Sequence, residues 1–244
     1  MGRFPSGQRD QTVNLTAMPS EVRILLSPPC GCSSVVEHKL PKLDTRVRFP
    51  SPALMHGYEM KVLGINGSPR KGGNTDILLD NALKGAQNNG AKVENIILND
   101  LEFSPCQECE NMPDDRFCII EDDMQIVYRK TEGADAIILA SPIFFGSLSA
   151  QTKMMIDRFQ CVWRAKYIFK KQVFEKRKIG AFISVEGSNR KDFFDNAKSI
   201  VKNFFVTINA DYREELFCSK IGEKNAILKE SELLKSVFNL GAKL

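Results

Sequence analysis

Three short stretches of the chain hold residues whose types and spacing suit chemistry. The first is Gly67-Ser68-Pro69-Arg70-Lys71-Gly72-Gly73-Asn74-Thr75. It sets two hydroxyls, an amide and a forked cation among small residues, just ahead of a helical pattern. A helix N-terminus offers free N–H groups and a positive dipole, so such a loop is built to hold a phosphate. Ser68, Arg70, Asn74 and Thr75 would supply the side-chain contacts. The loop matches neither the Walker sequence nor G-x-G-x-x-G. The second stretch, Ser141-Pro142-Ile143-Phe144-Phe145-Gly146-Ser147-Leu148-Ser149, offers backbone N–H groups beside apolar and aromatic side chains. A flat heteroaromatic ring with polar edges needs that combination. The third, Val185-Glu186-Gly187-Ser188-Asn189-Arg190, is polar, and suits closure over such a ring as well as it suits a solvated turn.

What is missing narrows the chemistry further. Both histidines, His38 and His56, precede Met60. The remainder therefore has no His-based triad, His metal site or His acid–base pair, and a cofactor that brings its own reactivity becomes attractive. The seven cysteines are odd in number and unevenly spaced, which argues against a secreted disulfide scaffold and for a reducing cytoplasm. A net charge of +4 is mild and implies no nucleic-acid partner. No apolar run is long enough to span a bilayer.

The elements that must position these loops follow from periodicity. Lys61 to Asn66, Ala91 to Leu98, Ala134 to Ala140, Lys178 to Val185 and Tyr212 to Cys218 read as five strands. Asn74 to Asn89, Asp122 to Glu132, Ser149 to Phe159, Phe193 to Ile208 and Leu228 to Leu240 read as helices. Strands alternating with helices predict a three-layer, doubly wound α/β fold with a five-stranded parallel sheet in the order 2-1-3-4-5. In such a sheet the ligand lies beyond the carboxyl ends of the strands, at the switch point between strands 1 and 3. The first two loops flank that point.

With these motifs in place, the chain from about Met60 to at least Phe159 resembles the flavodoxin-like NAD(P)H-dependent FMN reductase family, near its iron–sulfur flavoprotein branch. The residues that carry the resemblance are Gly67-Ser68-Pro69-Arg70 with Gly73-Asn74-Thr75, then Cys106-x-x-Cys109 with Cys118 and Asp122-Asp123-Met124. Ser141 to Gly146, followed by Lys153 and Asp157, completes the set. The resemblance implies that Ser68, Arg70, Asn74 and Thr75 hold an FMN phosphate. It implies that Pro142, Ile143, Phe144, Phe145, Gly146 and Ser147 line the isoalloxazine, with Glu186 and Gly187 near its edge. It further implies NADPH or NADH as donor, a small-molecule acceptor, and homodimers or homotetramers with the flavin near a subunit interface. The alternative it carries is an electron-transfer protein holding FMN and an iron–sulfur cluster.

The cysteines depart from that branch. Its compact four-cysteine run is C-x2-C-x2-C followed by a fourth, and Met112 stands where the third belongs. Cys106, Cys109 and Cys118 cannot complete the usual four-thiolate set. Cys161 becomes a fourth only if the fold brings it near. Loop thiols left from an ancestral motif are the plainer reading.

Residues 1–59 have no period of 2 or 3.6 and break their apolar pieces with Pro and Ser, so no packed core is expected there. Residues 1–54 resemble translated transfer-RNA genes: Val22-Arg23-Ile24 and Val47-Arg48-Phe49 repeat 25 positions apart. The expected organisation is a spurious or disordered extension over 1–59, a true start at Met55 or Met60, and one FMN-binding domain over 60–244. Residues 160–178 interleave Trp163, Tyr167, Phe169 and Phe174 with seven Lys and Arg. They are expected to form an amphipathic helix and an interface. A basic site for the NADPH 2′-phosphate is a second reading.

Overall fold

The computed structural model describes residues 59–109 and 117–244. Residues 1–58, expected above to lack a core, lie outside the described residues, as does Met112. The described elements are β1 (Lys61–Asn66), α1 (Asn74–Asn88), β2 (Lys92–Ile97), α2 (Met124–Gly133), β3 (Ala136–Phe144) and β4 (Ser147–Leu148). They continue with α3 (Ala150–Arg158), α4 (Gln160–Tyr167), β5 (Lys178–Val185), α5 (Lys191–Thr207), β6 (Ala210–Cys218) and α6 (Ser231–Ala242).

Five strands pair in parallel in the order β2-β1-β3-β5-β6. This is the expected 2-1-3-4-5 winding, with β4 added as an antiparallel hairpin on β3. Successive side chains of a strand point to opposite faces, and the strands divide their apolar residues accordingly. Leu63, Ile65, Ile137, Leu139 and Phe182 enter one core with Met124, Val127, Met155, Val162, Val201 and Phe204 from α2 to α5. Val62, Ala136, Ile138, Ala140 and Ile183 enter the other with Leu78, Leu79, Val237 and Leu240 from α1 and α6. Two cores, one on each face, make the three layers. On the α1–α6 side the helices cross almost backbone to backbone: a Cβ on Gly241 would lie 1.8 Å from Ala82 O.

Two expectations need correction. β3 does not end at Ala140 but runs to Phe144, through part of what reads as a loop. β1 stops pairing at Asn66↔Ala140, whereas β5 continues to Pro142↔Val185. Pro142, which has no N–H, therefore lies past the β1 ladder, and the strand passes through it without losing a bond. In the stretch 160–178, only Gln160–Tyr167 is helical. Lys170 takes a φ of 57°, and Phe174 turns inward to pack on Phe117 and Phe159. Burying a Phe ring is worth about 1.5–3 kcal/mol, more than another turn of exposed helix.

Candidate active site

The loop after β1 is folded by its own polar groups. Asn66, buried at the end of the strand, accepts from Ser68 N at 2.9 Å and donates to Asp76 Oδ1 at 2.7 Å. Asp76 Oδ2 in turn accepts from Gly72 N at 2.7 Å. One carboxylate in the first turn of α1 thus anchors both ends of the loop. Gly72 has φ +64°, and Gly73 caps α1 with no side-chain hydrogen bond, so the helix N-terminus is left for a ligand.

The loop is fixed to α3 at Gly67. Ser149, the N-cap of α3, donates from Oγ to Gly67 O at 2.5 Å and shares a 2.8 Å hydrogen bond with Thr152 Oγ1. A Cβ at Gly67 would lie 1.7 Å from Thr152 Oγ1; glycine is required by contact. Gly67 N donates to Ala140 O at 2.8 Å, which ties the ends of β1 and β3 together at the switch point.

Beyond Phe144 the chain reverses through Phe145 and Gly146, with φ of 49° and 73°. Two positive values flanked by the Phe144↔Ser147 pair make a two-residue hairpin of type I′. The loop after β5 is held by Glu186, a buried carboxylate that accepts from Arg190 N at 2.7 Å and from Ser188 Oγ at 3.2 Å. It meets the loop after β6 through Lys220 N to Ser188 O and Ile221 N to Glu186 O. Gly187 faces Gly222 so closely that a Cβ would stand 3.2 Å from the Gly222 Cα. Behind this junction, burial pushes the Cys218 thiol up to about 12, so it stays an uncharged packing group.

These loops enclose one cleft of about 270 Å³. Ser68, Arg70, Asn74 and Thr75 line one part, Pro142, Ile143 and Phe144 another, and Glu186 and Gly187 a third. Phe145, Gly146 and Ser147 do not line it. Phe145 stands fully exposed at the hairpin tip, 107% relative to an extended reference, because the I′ turn aims it outward. Gly146 packs against Phe193 instead. Asn74 borders the cleft, but its amide is already engaged. Nδ2 donates to Glu223 O at 2.7 Å, and Oδ1 accepts from Ile227 N at 3.3 Å. Sequence reasoning missed Ile221, Gly222 and Lys224 on the loop after β6. The switch-point rule directs attention to β1 and β3, and Gly222 beside Lys224 was the signal available.

The residues fit an FMN. A cation-bearing loop and an uncapped helix N-terminus suit a phosphate, and the Pro142–Phe144 wall suits a flat ring. The sequence model of the NADPH-dependent FMN reductase family matches residues 60–197. The chain belongs to that family. It is 38% identical over 129 residues to an iron–sulfur flavoprotein of Methanosarcina thermophila, a match covering 53% of this chain and 64% of that protein. A second iron–sulfur flavoprotein, from Methanocaldococcus jannaschii, is 37% identical over 147 residues, covering 60% of this chain and 72% of the relative. The chain thus spans about two thirds of the length of these relatives. Among solved structures, an NAD(P)H:quinone oxidoreductase from Methanothermobacter marburgensis superposes with a TM-score of 0.56 at 14% identity, covering 76% of this chain and 97% of that one. At that identity the likeness speaks for the flavodoxin-like fold alone.

The cysteine-bearing loop between β2 and α2 is organised by a buried ion pair. Arg158, the last residue of α3, donates to Asp122 through Nη1 at 2.5 Å and Nη2 at 3.0 Å, and through Nη1 to Ser104 O at 2.8 Å. Asp122 also accepts from Ser104 N and Met124 N at 3.1 Å each. Burial alone would raise the Asp122 carboxyl; the Arg158 bonds and these two N–H groups outweigh it and hold the group below its ordinary range. Cys106, Cys109 and Cys118 line one small cavity here, and Cys161 from α4 joins them. Among the described residues, however, no three ligand-type side chains stand as a formed ion site. The compact four-cysteine cluster motif is incomplete in this chain, with Met112 at its third position. Lys153 and Asp157, carried by the family resemblance, pair with each other at 2.7 Å on the outer face of α3. No helix among the described residues is long and apolar enough to cross a membrane.

Proposed function

We propose that this protein is an FMN-dependent NAD(P)H oxidoreductase that passes electrons from a reduced nicotinamide to a small acceptor. The observation that carries the reading is the shared cleft: Arg70 after β1 and Phe144 at the end of β3 line the same cavity. Bound FMN supplies the hydride and electron chemistry. The chain's own part is to bind and to orient. Arg70, the Ser68 and Thr75 hydroxyls and the first N–H groups of α1 hold the phosphate. The Pro142–Phe144 segment supplies a flat apolar wall, and backbone N–H groups at the cleft stabilise negative charge on a reduced ring. Glu186 fixes the turn that closes the edge. No side-chain base is needed, which suits a domain without histidine. Donor and acceptor would enter the cleft in turn, a ping-pong order. A homodimer or homotetramer in the cytoplasm, with no nucleic-acid or membrane partner, completes the proposal.

The test is the absorbance spectrum of the purified protein, with and without NADPH under anaerobic conditions. The expected preparation is yellow and bleaches on adding NADPH or NADH. A colourless protein that ignores added FMN refutes the reading. Arg70→Ala removes a charge-assisted contact worth about 1.5–3 kcal/mol, so the FMN Kd should rise about 10- to 150-fold. Full flavin occupancy of that variant on dilution would show that the phosphate lies elsewhere.

A further inference from the structure

The cleft has a charged residue that lies outside the three sequence motifs: Lys224, on the loop after β6. We propose that Lys224 is a second cation for the phosphate of the flavin, and that Asn74 positions it by clamping the loop that carries it. The inference rests on the flavin reading above and adds to that reading a binding residue and a positioning residue.

Charge argues for a second cation. A phosphate monoester carries about −1.5 to −2 at neutral pH. The loop after β1 has two cations, but Lys71 is drawn into an ion pair with Asp100 at 2.7 Å. From that loop, Arg70 alone brings a positive side chain to the cleft. The N-terminus of α1 adds about half a positive charge, and the Asp76 carboxylate in its first turn opposes it. One guanidinium with a partly offset dipole leaves the phosphate undercompensated, and Lys224 brings the cleft to two full cations. Neither Arg70 nor Lys224 has an ion-pair partner among the described residues. Two like charges on one cavity repel, and an anion between them turns the repulsion into attraction.

The backbone fixes where Lys224 stands. On one side the loop is tied to the turn after β5, by Lys220 N to Ser188 O at 2.7 Å and Ile221 N to Glu186 O at 2.9 Å. On the other side Asn74 holds it. Nδ2 donates to Glu223 O at 2.7 Å and, more weakly, to Ile221 O at 3.5 Å, while Oδ1 accepts from Ile227 N at 3.3 Å. Ala226 N closes the turn onto Glu223 O at 3.2 Å, and Asn225 takes a φ of 64°. Lys224 therefore lies between a pinned carbonyl and a left-handed residue. The amide that is occupied by this loop thus presents a full charge in its own stead. A compact ammonium on a flexible stem suits a phosphate reached from an exposed turn.

The experiment is a fluorescence titration of the full-length protein with FMN and with riboflavin, which lacks the phosphate. The parent should prefer FMN. Lys224→Gln should raise the FMN Kd about 5- to 30-fold and leave the riboflavin Kd within about twofold. Lys224→Arg, which keeps the charge, should stay within about threefold of the parent for FMN, and Lys71→Gln within about twofold. Asn74→Ala should also weaken FMN selectively, but in the Lys224→Gln background it should add less than about twofold, because it acts through Lys224. An FMN Kd that Lys224→Gln leaves unmoved, or an equal loss of FMN and riboflavin in that variant, overturns the proposal. Fully additive losses in the double variant overturn the positioning role of Asn74. If Arg70→Ala weakens FMN selectively and Lys224→Gln does not, this inference falls alone. If the parent binds FMN no better than riboflavin, the phosphate reading falls with it.

Discussion

Gly67 sits where the sheet, the β1–α1 loop and α3 touch, and substituting alanine there measures how much of the cleft depends on that contact. The new Cβ would lie 1.7 Å from Thr152 Oγ1, 3.0 Å from Thr152 Cβ and 3.3 Å from Ala140 O. Ordinary carbon–oxygen contact is about 3.4 Å, and cores do not compress by half that distance. Either β1 or α3 must shift. Such overpacking costs about 1–3 kcal/mol. The shift also strains the Ser149 Oγ bond to Gly67 O, now 2.5 Å, a further loss of about 1 kcal/mol. The sum, about 2–4 kcal/mol, corresponds to a Tm lower by about 4–16 °C for a domain of this size.

Urea unfolding followed by circular dichroism, beside an FMN titration followed by fluorescence, reads both consequences. Thr152→Ala removes the nearest clashing atom at a cost of about 1 kcal/mol for its hydrogen bond to Ser149. If the contact is the cause, the double variant should be more stable than the sum of the two losses predicts, by at least about 1 kcal/mol. Strict additivity, or a Gly67→Ala protein within about 0.5 kcal/mol of the parent, would refute the reasoning.

Asp122→Asn leaves Arg158 buried beside a neutral partner and should destabilise the protein at neutral pH by about 3–5 kcal/mol. The Asp122 carboxyl is held below its ordinary value of 3.8, so its stabilisation is complete above that value and is lost as pH falls through the lower folded one. Melting curves from pH 6 down to pH 2 should therefore show a steeper acid loss for the parent than for Asp122→Asn; parallel curves would contradict the linkage. Phe145→Asn relieves a bulky residue at positive φ and should stabilise by about 0.5–1 kcal/mol while leaving the FMN Kd within about twofold. A large loss of affinity would mean that the exposed ring covers the flavin. Asn74→Ala breaks three bonds to the β6–α6 loop, one of them long, and should cost about 1–2 kcal/mol in urea; a variant of parental stability that only loses FMN would return Asn74 to the phosphate.

The sheet order was legible because both periods are clean. Ile137-Ile138-Leu139 and the Phe194, Ala197, Val201, Phe204, Phe205 stripe leave little choice of element. The first loop was legible for the same reason, since its polar residues sit at a strand end and a helix start. The end of β3 was not, because Pro142 reads as a breaker, and only the end of the β1 ladder at Ala140 shows that its missing N–H is not needed there. Phe145 misled for a related reason. In a run of Ile143, Phe144 and Phe145 nothing local says which ring faces inward; the I′ turn decides it, and turn type depends on the pairing that follows. Asn74 looks like a phosphate ligand until the partner loop, about 150 residues away in sequence, takes up its amide. The convergence of Cys161 with Cys106, Cys109 and Cys118 was invisible for the same cause, long-range closure across the fold.

Helix α3 runs between the cleft-lining β1–α1 loop and the cysteine-bearing loop. Its N-cap, Ser149, grips the carbonyl of Gly67 at the β1–α1 loop, and its last residue, Arg158, grips Ser104 O and Asp122 at the thiol-bearing loop. Nine residues at about 1.5 Å each make a stiff rod of about 13 Å. Both ends carry buried, charge-bearing or short hydrogen bonds, while the Lys153–Asp157 pair faces solvent between them. Helix α3 thus touches the β1–α1 loop at one end and the cysteine-bearing loop at the other, although no side chain lines both cavities.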